Sequence, residues 1–488
     1  MGLGGLIEPL VVVMLLFGGT WINRNKAYRL SRRRYSRNTT KTFVDVRCSS
    51  PDSLESGQSS PVTTDGLLSD SSYSSDDGAR CSSPSLLTRQ EARWRKREIG
   101  LLGWRREVVT PNTRVFRGRL LSRLLRRFPF LVEAWYWALI YWVYQLGRAF
   151  TAVTLVEGTV HVARRHALQL IQLEQSLHIF HELAVQRWFL AHPTLLHWTN
   201  RIYSFIHIPG TILFLVGLYY YTTTTQARTR AHRTLPLANK PLPPSPTTTA
   251  ASSTSTSTST ARANPALYAA RRRTMATCNL LAFIIFTLWP CMPPRLLSSP
   301  NVTGPSGAVA RSYGFVDTVH GSAGESSVWT QNRFCNQYAA MPSLHFGYAL
   351  LIGLTVMSIP LAQTQTQTQA RGRVLVLRVP WTGARLLRCR VPSWRRAACV
   401  ALGVAYPAVI LVAIVATANH FVLDAVAGAV VCGVAWRGNG VLLNLLPVED
   451  WFLWCVRIHK PEVGGDEEED EEDDNDWRRW ESGKGGVV

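Results

Sequence analysis

Apolar runs of bilayer length recur through this chain. Such runs must satisfy their backbone hydrogen bonds internally, so they cross a membrane as helices. About 20 residues span the hydrocarbon. Seven stretches approach that length: 3–21, 128–146, 202–221, 275–292, 343–361, 398–416 and 420–436. Another apolar stretch, 441–456, carries Glu449 and Asp450 and reads as interfacial. Residues 166–190 have helical periodicity with Glu174, His178, His181 and Glu182 interspersed, which predicts an amphipathic helix lying on the membrane. No basic residue precedes the first apolar run and no clear cleavage site follows it. It reads as an added anchor rather than a signal peptide. The expected fold is an all-α integral membrane protein, a six-span helical bundle with an additional N-terminal span.

Polar segments separate these runs. Residues 48–88 are rich in Ser and Asp, 222–261 contain PLPPSP and STSTSTSTST, 363–369 read QTQTQTQ, and 466–476 hold ten acids in eleven positions. Such compositions predict disordered cytosolic linkers and tails. The expected organisation is an N-terminal anchor at 1–22 and a basic, Ser-rich disordered tail at 23–127. A membrane domain at 128–458 follows, with a disordered insert at 222–274, and an acidic disordered tail occupies 459–488. The net charge is +21, yet the basic residues flank apolar segments instead of forming one groove interleaved with aromatics, which argues against nucleic acid. Nine cysteines without a CxxC pair make neither a disulfide framework nor a zinc site. His178 and His181 are three apart, but no HExxH or carboxylate-rich set accompanies them. Neither a metal nor another cofactor is expected.

Charge asymmetry suggests an orientation. Region 23–129 holds 23 Lys/Arg, loop 222–274 holds eight, and loop 362–397 holds eight with no acid. The opposite side carries five arginines in 148–201 and three in 293–342. The basic loops are therefore expected in the cytosol. Arg295, His345, His420 and Asp424 then meet at one layer on the non-cytosolic face.

In FCNQYAAMPSLHFGYALL, Pro342 stops a preceding helix, Ser343 is a good N-cap, and His345 lies in the first turn. In ATANHFVLDAVAGAVV, Asn419 is a plausible N-cap, His420 opens the helix, and Asp424 follows four residues on, on the same face. Two histidines at helix N-termini, where backbone N–H groups and the dipole favour an anion, suit a phosphate. A neutral imidazole can attack phosphorus while a carboxylate one turn away orients it, which fits His420 with Asp424. A second imidazole can protonate the leaving oxygen, which fits His345. Arg295 in CMPPRLL is the best-placed cation for the phosphate, with Ser343 and Asn419 beside it. No GxSxG supports a serine hydrolase.

The PSLH of Pro342–His345 and the His420-x-x-x-Asp424 pattern resemble the second and third motifs of the phosphatidic acid phosphatase type 2 superfamily. The strings NQYAAMPSLHFGYAL and TANHFVLDAVAG are similar to its inositolphosphotransferase branch, the fungal inositol phosphorylceramide synthases and their bacterial relatives. The resemblance covers roughly 128–458. It implies a six-span bundle with His420 as nucleophile, His345 as acid/base and Asp424 as the orienting carboxylate. Three departures stand out: Ile414 replaces the arginine six residues before the third-motif histidine, Leu344 replaces a frequent glycine, and the first motif has no clean match. Arg271–Arg273 fall on the opposite face in this topology. Loss of phosphate-clamping cations favours a phosphodiester substrate, hence a transferase.

The expected function is transfer of a phospho-headgroup, phosphoinositol by the resemblance, from a phospholipid donor to a lipid hydroxyl such as ceramide's. Alternatives are a lipid phosphate phosphatase using water, and a catalytically silent scaffold or transporter. The expected location is the Golgi or endoplasmic reticulum, as a multi-pass membrane protein with its site on the lumenal side. The sequon Asn301-Val-Thr lies in the lumenal loop of this topology and Asn38-Thr-Thr in a cytosolic one. No glycosidase-sensitive mass on Asn38 is the expected outcome; modified Asn38 would invert the orientation.

Overall fold

The computed structural model describes residues 4–26, 28, 94–101, 103–154, 158–234, 264–298, 304–318, 337–361, 374–378, 385–390 and 393–461. Residues 29–93 lie outside the described residues, as do the polar tracts 235–263 and 362–373 and the acidic tail from 462.

Each of the seven apolar runs forms a helix. In chain order the helices begin with α1 (Gly4–Ile22), α2 (Leu120–Arg127), α3 (Phe130–Thr154), α4 (Gly158–Ser176), α5 (Glu182–Leu190) and α6 (Pro193–Arg201). They continue with α7 (His207–Thr234), α8 (Pro265–Leu288), α9 (Pro294–Leu297), α10 (Pro305–Ser312) and α11 (Leu344–Ser358). Last come α12 (Trp394–Ala416), α13 (Val422–Gly438) and α14 (Leu446–Val456). Proline in the first turn opens α6, α8, α9, α10 and α14, where its missing N–H costs nothing. The Asn264 side chain caps α8 and the Ser393 side chain caps α12.

The all-α expectation is corrected by two antiparallel hairpins. Strand β1 (Trp94–Leu101) pairs with β2 (Trp104–Pro111), and β3 (Val374–Arg378) pairs with β4 (Arg385–Arg390). The first hairpin and α2 fall inside 23–127, so that segment is not wholly a solvated tail. In it Arg97 reaches Asp450 through Nε (2.9 Å) and a second nitrogen (3.1 Å), and the Thr110 hydroxyl donates to the same carboxylate (2.9 Å). The expected insert 222–274 is also shorter than its composition suggested. α7 runs on to Thr234 and α8 begins at Pro265, because Thr, Gln and Arg extend a helix already started by an apolar segment.

Residues 166–190 do not form one surface helix. Chain reversal after α4, with His178 at φ 58°, turns α5 back toward it, and Glu174 and Glu182 are fully buried. By length and composition, Trp394–Ala416 and the stretch Val422–Val456 are apolar enough to cross a membrane among the described residues. Pro9–Ile22 and Leu344–Ser358 are shorter apolar helices. Val426, Val430 and Val434 form an exposed apolar row along α13, a face suited to lipid.

Three apolar clusters fill the interior. Phe130, Val216, Tyr219, Tyr268, Cys278, Leu351 and Cys432 pack where α3, α7, α8, α11 and α13 meet. Ala163, Ile171, Cys291, Leu297, Ala340 and Phe421 pack beneath one end of α13. Tyr203, Ala349, Ile410, Ile414 and Ala425 join α11 to α12 and α13. α1 lays Gly19 against Phe130 and Val216.

Helices α11 and α12 cross glycine on glycine. A Cβ on Gly353 would stand 2.2 Å from the Gly403 carbonyl oxygen, and one on Gly403 would stand 2.4 Å from a Met357 side-chain carbon. Close crossing of this kind is how helices associate where lipid removes the hydrophobic drive between them. Gly353→Ala should cost about 1–3 kcal/mol as overpacking and lower the apparent unfolding temperature in micelles by several degrees. Gly433→Ala, which meets nothing within 4 Å, should not lower it. Equal temperatures for both variants would contradict this packing.

Candidate active site

α12 ends in a tight turn. The Thr417 hydroxyl donates to the Ala413 carbonyl (2.7 Å), Ala418 takes a left-handed φ of 49°, and the Asn419 and His420 N–H groups both donate to the Ile414 carbonyl (3.0 and 3.2 Å). The Asn419 amide donates to the Thr417 hydroxyl oxygen (2.7 Å). These ties hold Asn419 and His420 outside the next helix, which starts at Val422 with Phe421 as its N-cap. The expected Asn419 cap is thereby corrected, and His420 sits in the turn before the helix.

The first turn of α13 is also occupied. The Phe421 N–H donates to Asp424 Oδ2 (2.8 Å), Val422 to Glu182 Oε1 (2.8 Å) and Leu423 to Glu174 Oε1 (2.8 Å). Three successive amides are thus taken by carboxyl groups. The expectation that this helix end offers free N–H groups to a phosphate is corrected on that ground. At the start of α11 the Ser343 hydroxyl accepts from the Phe346 N–H (3.4 Å), as its N-cap role requires.

The two helix starts touch through backbone. The Ser343 N–H donates to the Asp424 carbonyl (2.9 Å), and a Cβ on Gly428 would lie 2.3 Å from the Ser343 carbonyl oxygen. His345 and His420 therefore face each other with ring centroids 5.7 Å apart. His420 Nδ1 lies 2.8 Å from the Ala340 carbonyl, an acceptor that cannot donate, so Nδ1 carries the proton and Nε2 the lone pair. Asp424 Oδ2 is 3.6 Å from Nδ1, within reach of a charge interaction but not of a hydrogen bond.

Arg295 joins the same layer. Its backbone N–H donates to the Ala418 carbonyl (2.9 Å), Nε donates to Asn419 Oδ1 (2.9 Å), and another guanidinium nitrogen to Asp317 Oδ2 (3.1 Å). His345, His420, Asp424, Ser343, Asn419 and Arg295 are all brought together. Arg271–Arg273 are not. Arg271 stacks over Trp436 (3.2 Å), Arg272 pairs with Glu133, and Arg273 donates to Asn439 (3.3 Å). They sit at the far end of α13 from His420, about 25 Å away at 1.5 Å per residue.

Sequence reasoning missed several neighbours. His207, entered through a π turn at Ile202–Ile206, has its ring 5.2 Å from that of His345, and its Nδ1 is 2.9 Å from the Tyr406 hydroxyl. The Tyr203 ring also packs against His345, with centroids 4.7 Å apart. A position opening an apolar span at the same layer was the available signal for His207. Arg164 on α4 is buried, and burial pushes its pKa down. Its Nε and one further nitrogen have no hydrogen-bond partner among the described residues. The histidines of 161–207 are scattered over α4–α7, and no metal-holding group of three or more His, Cys, Asp or Glu occurs among the described residues.

The sequence profile of the PAP2 superfamily (phosphatidic acid phosphatase type 2) matches residues 168–238, 250–367 and 384–437, which contain Arg295, Ser343, His345, Asn419, His420 and Asp424. No curated protein and no solved structure gives a significant match. The matched blocks enclose the paired histidines and their carboxylate, and on that combination the chain belongs to the PAP2 superfamily of membrane lipid phosphatases and phosphotransferases.

Proposed function

We propose that this membrane enzyme moves a phospho-headgroup, phosphoinositol by the motif strings, from a glycerophospholipid to a lipid hydroxyl such as ceramide's. The observation that carries the reading is the pairing of His420 Nε2, left free by the Nδ1 contact with Ala340, with the facing imidazole of His345. Nε2 attacks phosphorus as the bond to diacylglycerol breaks, and His345, once protonated, gives its proton to the departing oxygen. The product is a phosphohistidine diester on an imidazolium. Its Nδ1–H stays on the Ala340 carbonyl, and Asp424, 3.6 Å away, offsets the positive charge. Neutral His345 then takes the proton of the incoming hydroxyl, whose oxygen attacks phosphorus. The P–N bond breaks and both histidines return to their starting forms.

Charge supports a diester over a monoester. The guanidinium of Arg295 is already shared with Asp317 and Asn419, and three acidic side chains occupy the start of α13. That surrounding suits a monoanion better than a dianion. The topology that goes with this reading has six spans, α3, α7, α8, α11, α12 and α13, with α1 as an added anchor. The Arg271–Arg273 end then faces the cytosol and the histidines face the lumen of the Golgi or endoplasmic reticulum.

The full chain in micelles with labelled phosphatidylinositol should transfer label to ceramide. Label released only as a water-soluble phosphate would make water the acceptor and overturn the transferase reading. His420→Ala should abolish both half-reactions at normal abundance; His420→Ala protein that disappears from the membrane would make the residue structural. His345→Ala should slow both, with a nitrophenol leaving group restoring only the first. Asp424→Asn keeps an oxygen for the Phe421 N–H and removes the charge. It should cost about two to four orders of magnitude in rate, by analogy with losing the carboxylate behind a catalytic histidine.

A further inference from the structure

Glu174 and Glu182 pose a problem the proposed reaction does not use. Both are fully buried, on different helices, and each gives one oxygen to a backbone amide of α13. Their Oε2 atoms are buried and meet no donor among the described residues, and because their Oε1 atoms accept from the successive amides of Val422 and Leu423, the two carboxyl groups are neighbours. Two desolvated carboxylates side by side disfavour the second charge. One proton between them satisfies both oxygens. The chain is folded to bring them together: α4 ends just after Glu174, the backbone reverses through His178, and Glu182 opens α5.

We infer that Glu174 and Glu182 form a proton-sharing carboxyl pair that positions His420 and Asp424 by holding the first turn of α13. This inference rests on the reading of His420 as nucleophile. The pair acts through backbone: it holds Val422 and Leu423, which sit between Phe421, next to His420, and Asp424. Glu182 faces Glu174 from α5 and Asp424 faces it from α13. The buried thiol of Cys291, from the segment between α8 and α9, interacts with it as well.

Burial, then Glu182, push the Glu174 carboxyl up to about 9; α4 lies outside the proposed spans. The folded chain holds a proton that the unfolded chain releases in the ordinary carboxylate range. Stability contributed by the pair therefore declines as pH rises from that range and is gone above about 9. At that point two negative charges oppose each other beside Asp424, and the cap opens.

The test uses the full chain in detergent micelles. Hydrogen exchange over residues 417–425, corrected for the intrinsic pH dependence, should show the Val422 and Leu423 amides protected at neutral pH and unprotected above about pH 9. Glu174→Gln should keep them protected at the higher pH. Its amide oxygen still accepts from Leu423, and its NH2 supplies Glu182 with the hydrogen the shared proton supplied. With labelled phosphatidylinositol and ceramide, the alkaline limb of kcat should move upward in Glu174→Gln. Glu174→Ala should lower kcat about a hundredfold with little change in KM, the scale expected when reacting groups shift by an ångström. Identical exchange and pH limbs in wild type and Glu174→Gln would overturn the pair, as would full protection in Glu174→Ala. If Glu174→Ala fails to accumulate, the Gln variant still decides. An active His420→Ala would instead sink the nucleophile reading, and the exchange result would stand apart from it.

Discussion

The contact between the starts of α11 and α13 is made of backbone alone. Ser343 donates to the Asp424 carbonyl, and a glycine follows each of these residues by four, Gly347 and Gly428, so that the next turns also meet without side chains between them. A Cβ at Gly428 has no room against the Ser343 carbonyl. Neither helix can slide along the other by a residue without filling that gap. The imidazole separation of 5.7 Å follows from this register, because His345 and His420 are attached within two and four residues of the junction. Asp424 belongs to both arrangements: its carbonyl makes the junction, and its carboxyl caps Phe421 beside His420.

Acids at the positive end of α13 change what that helix end does. A bare N-terminus attracts phosphate. Here Asp424, Glu182 and Glu174 take the first three amides, so this helix end is already satisfied by carboxyl groups beside His420. In the proposed mechanism the phosphohistidine is a cation, and Asp424 at this helix end stabilises the intermediate instead of gripping the substrate. Arg295 is restrained in the same spirit, since Asp317 and Asn419 share its guanidinium.

Much of this was legible in the sequence, and the failures have physical causes. The long apolar runs became helices because periodicity over a full span leaves few alternatives. The His420 and Asp424 spacing was readable because four residues is a local distance. The cap was misplaced because Asn419 has the right chemistry for one, yet its side chain is spent on Thr417 and Arg295 while Ala418 turns left-handed. Nothing local announces that turn. Glu174 and Glu182 read as part of an amphipathic helix on the membrane because polar residues in a periodic segment usually line its outer face. Their partners lie 249 and 240 residues away, and the reversal at His178 uses neither glycine nor proline. The hairpin of β1 and β2 was hidden for the same reason, since Arg97 makes sense only beside Asp450, 353 residues on.

Polar locks at both ends of the bundle fix the register of its helices. Helices in hydrocarbon gain little from burying apolar side chains against each other, so register must come from close packing and from hydrogen bonds. At the end away from the histidines, Arg97 and Thr110 grip Asp450, Lys460 and Tyr136 share Glu449, Arg271 covers Trp436, and Thr113 meets His459. Those contacts join the segment before α3 to the segment after α13, the two limits of the apolar core. At the other end the carboxyl caps and the Arg295 ties fix the histidine layer. Between them the helices meet largely through glycine and small or apolar side chains. A bundle pinned in this way holds two imidazoles in a fixed relation at one rim.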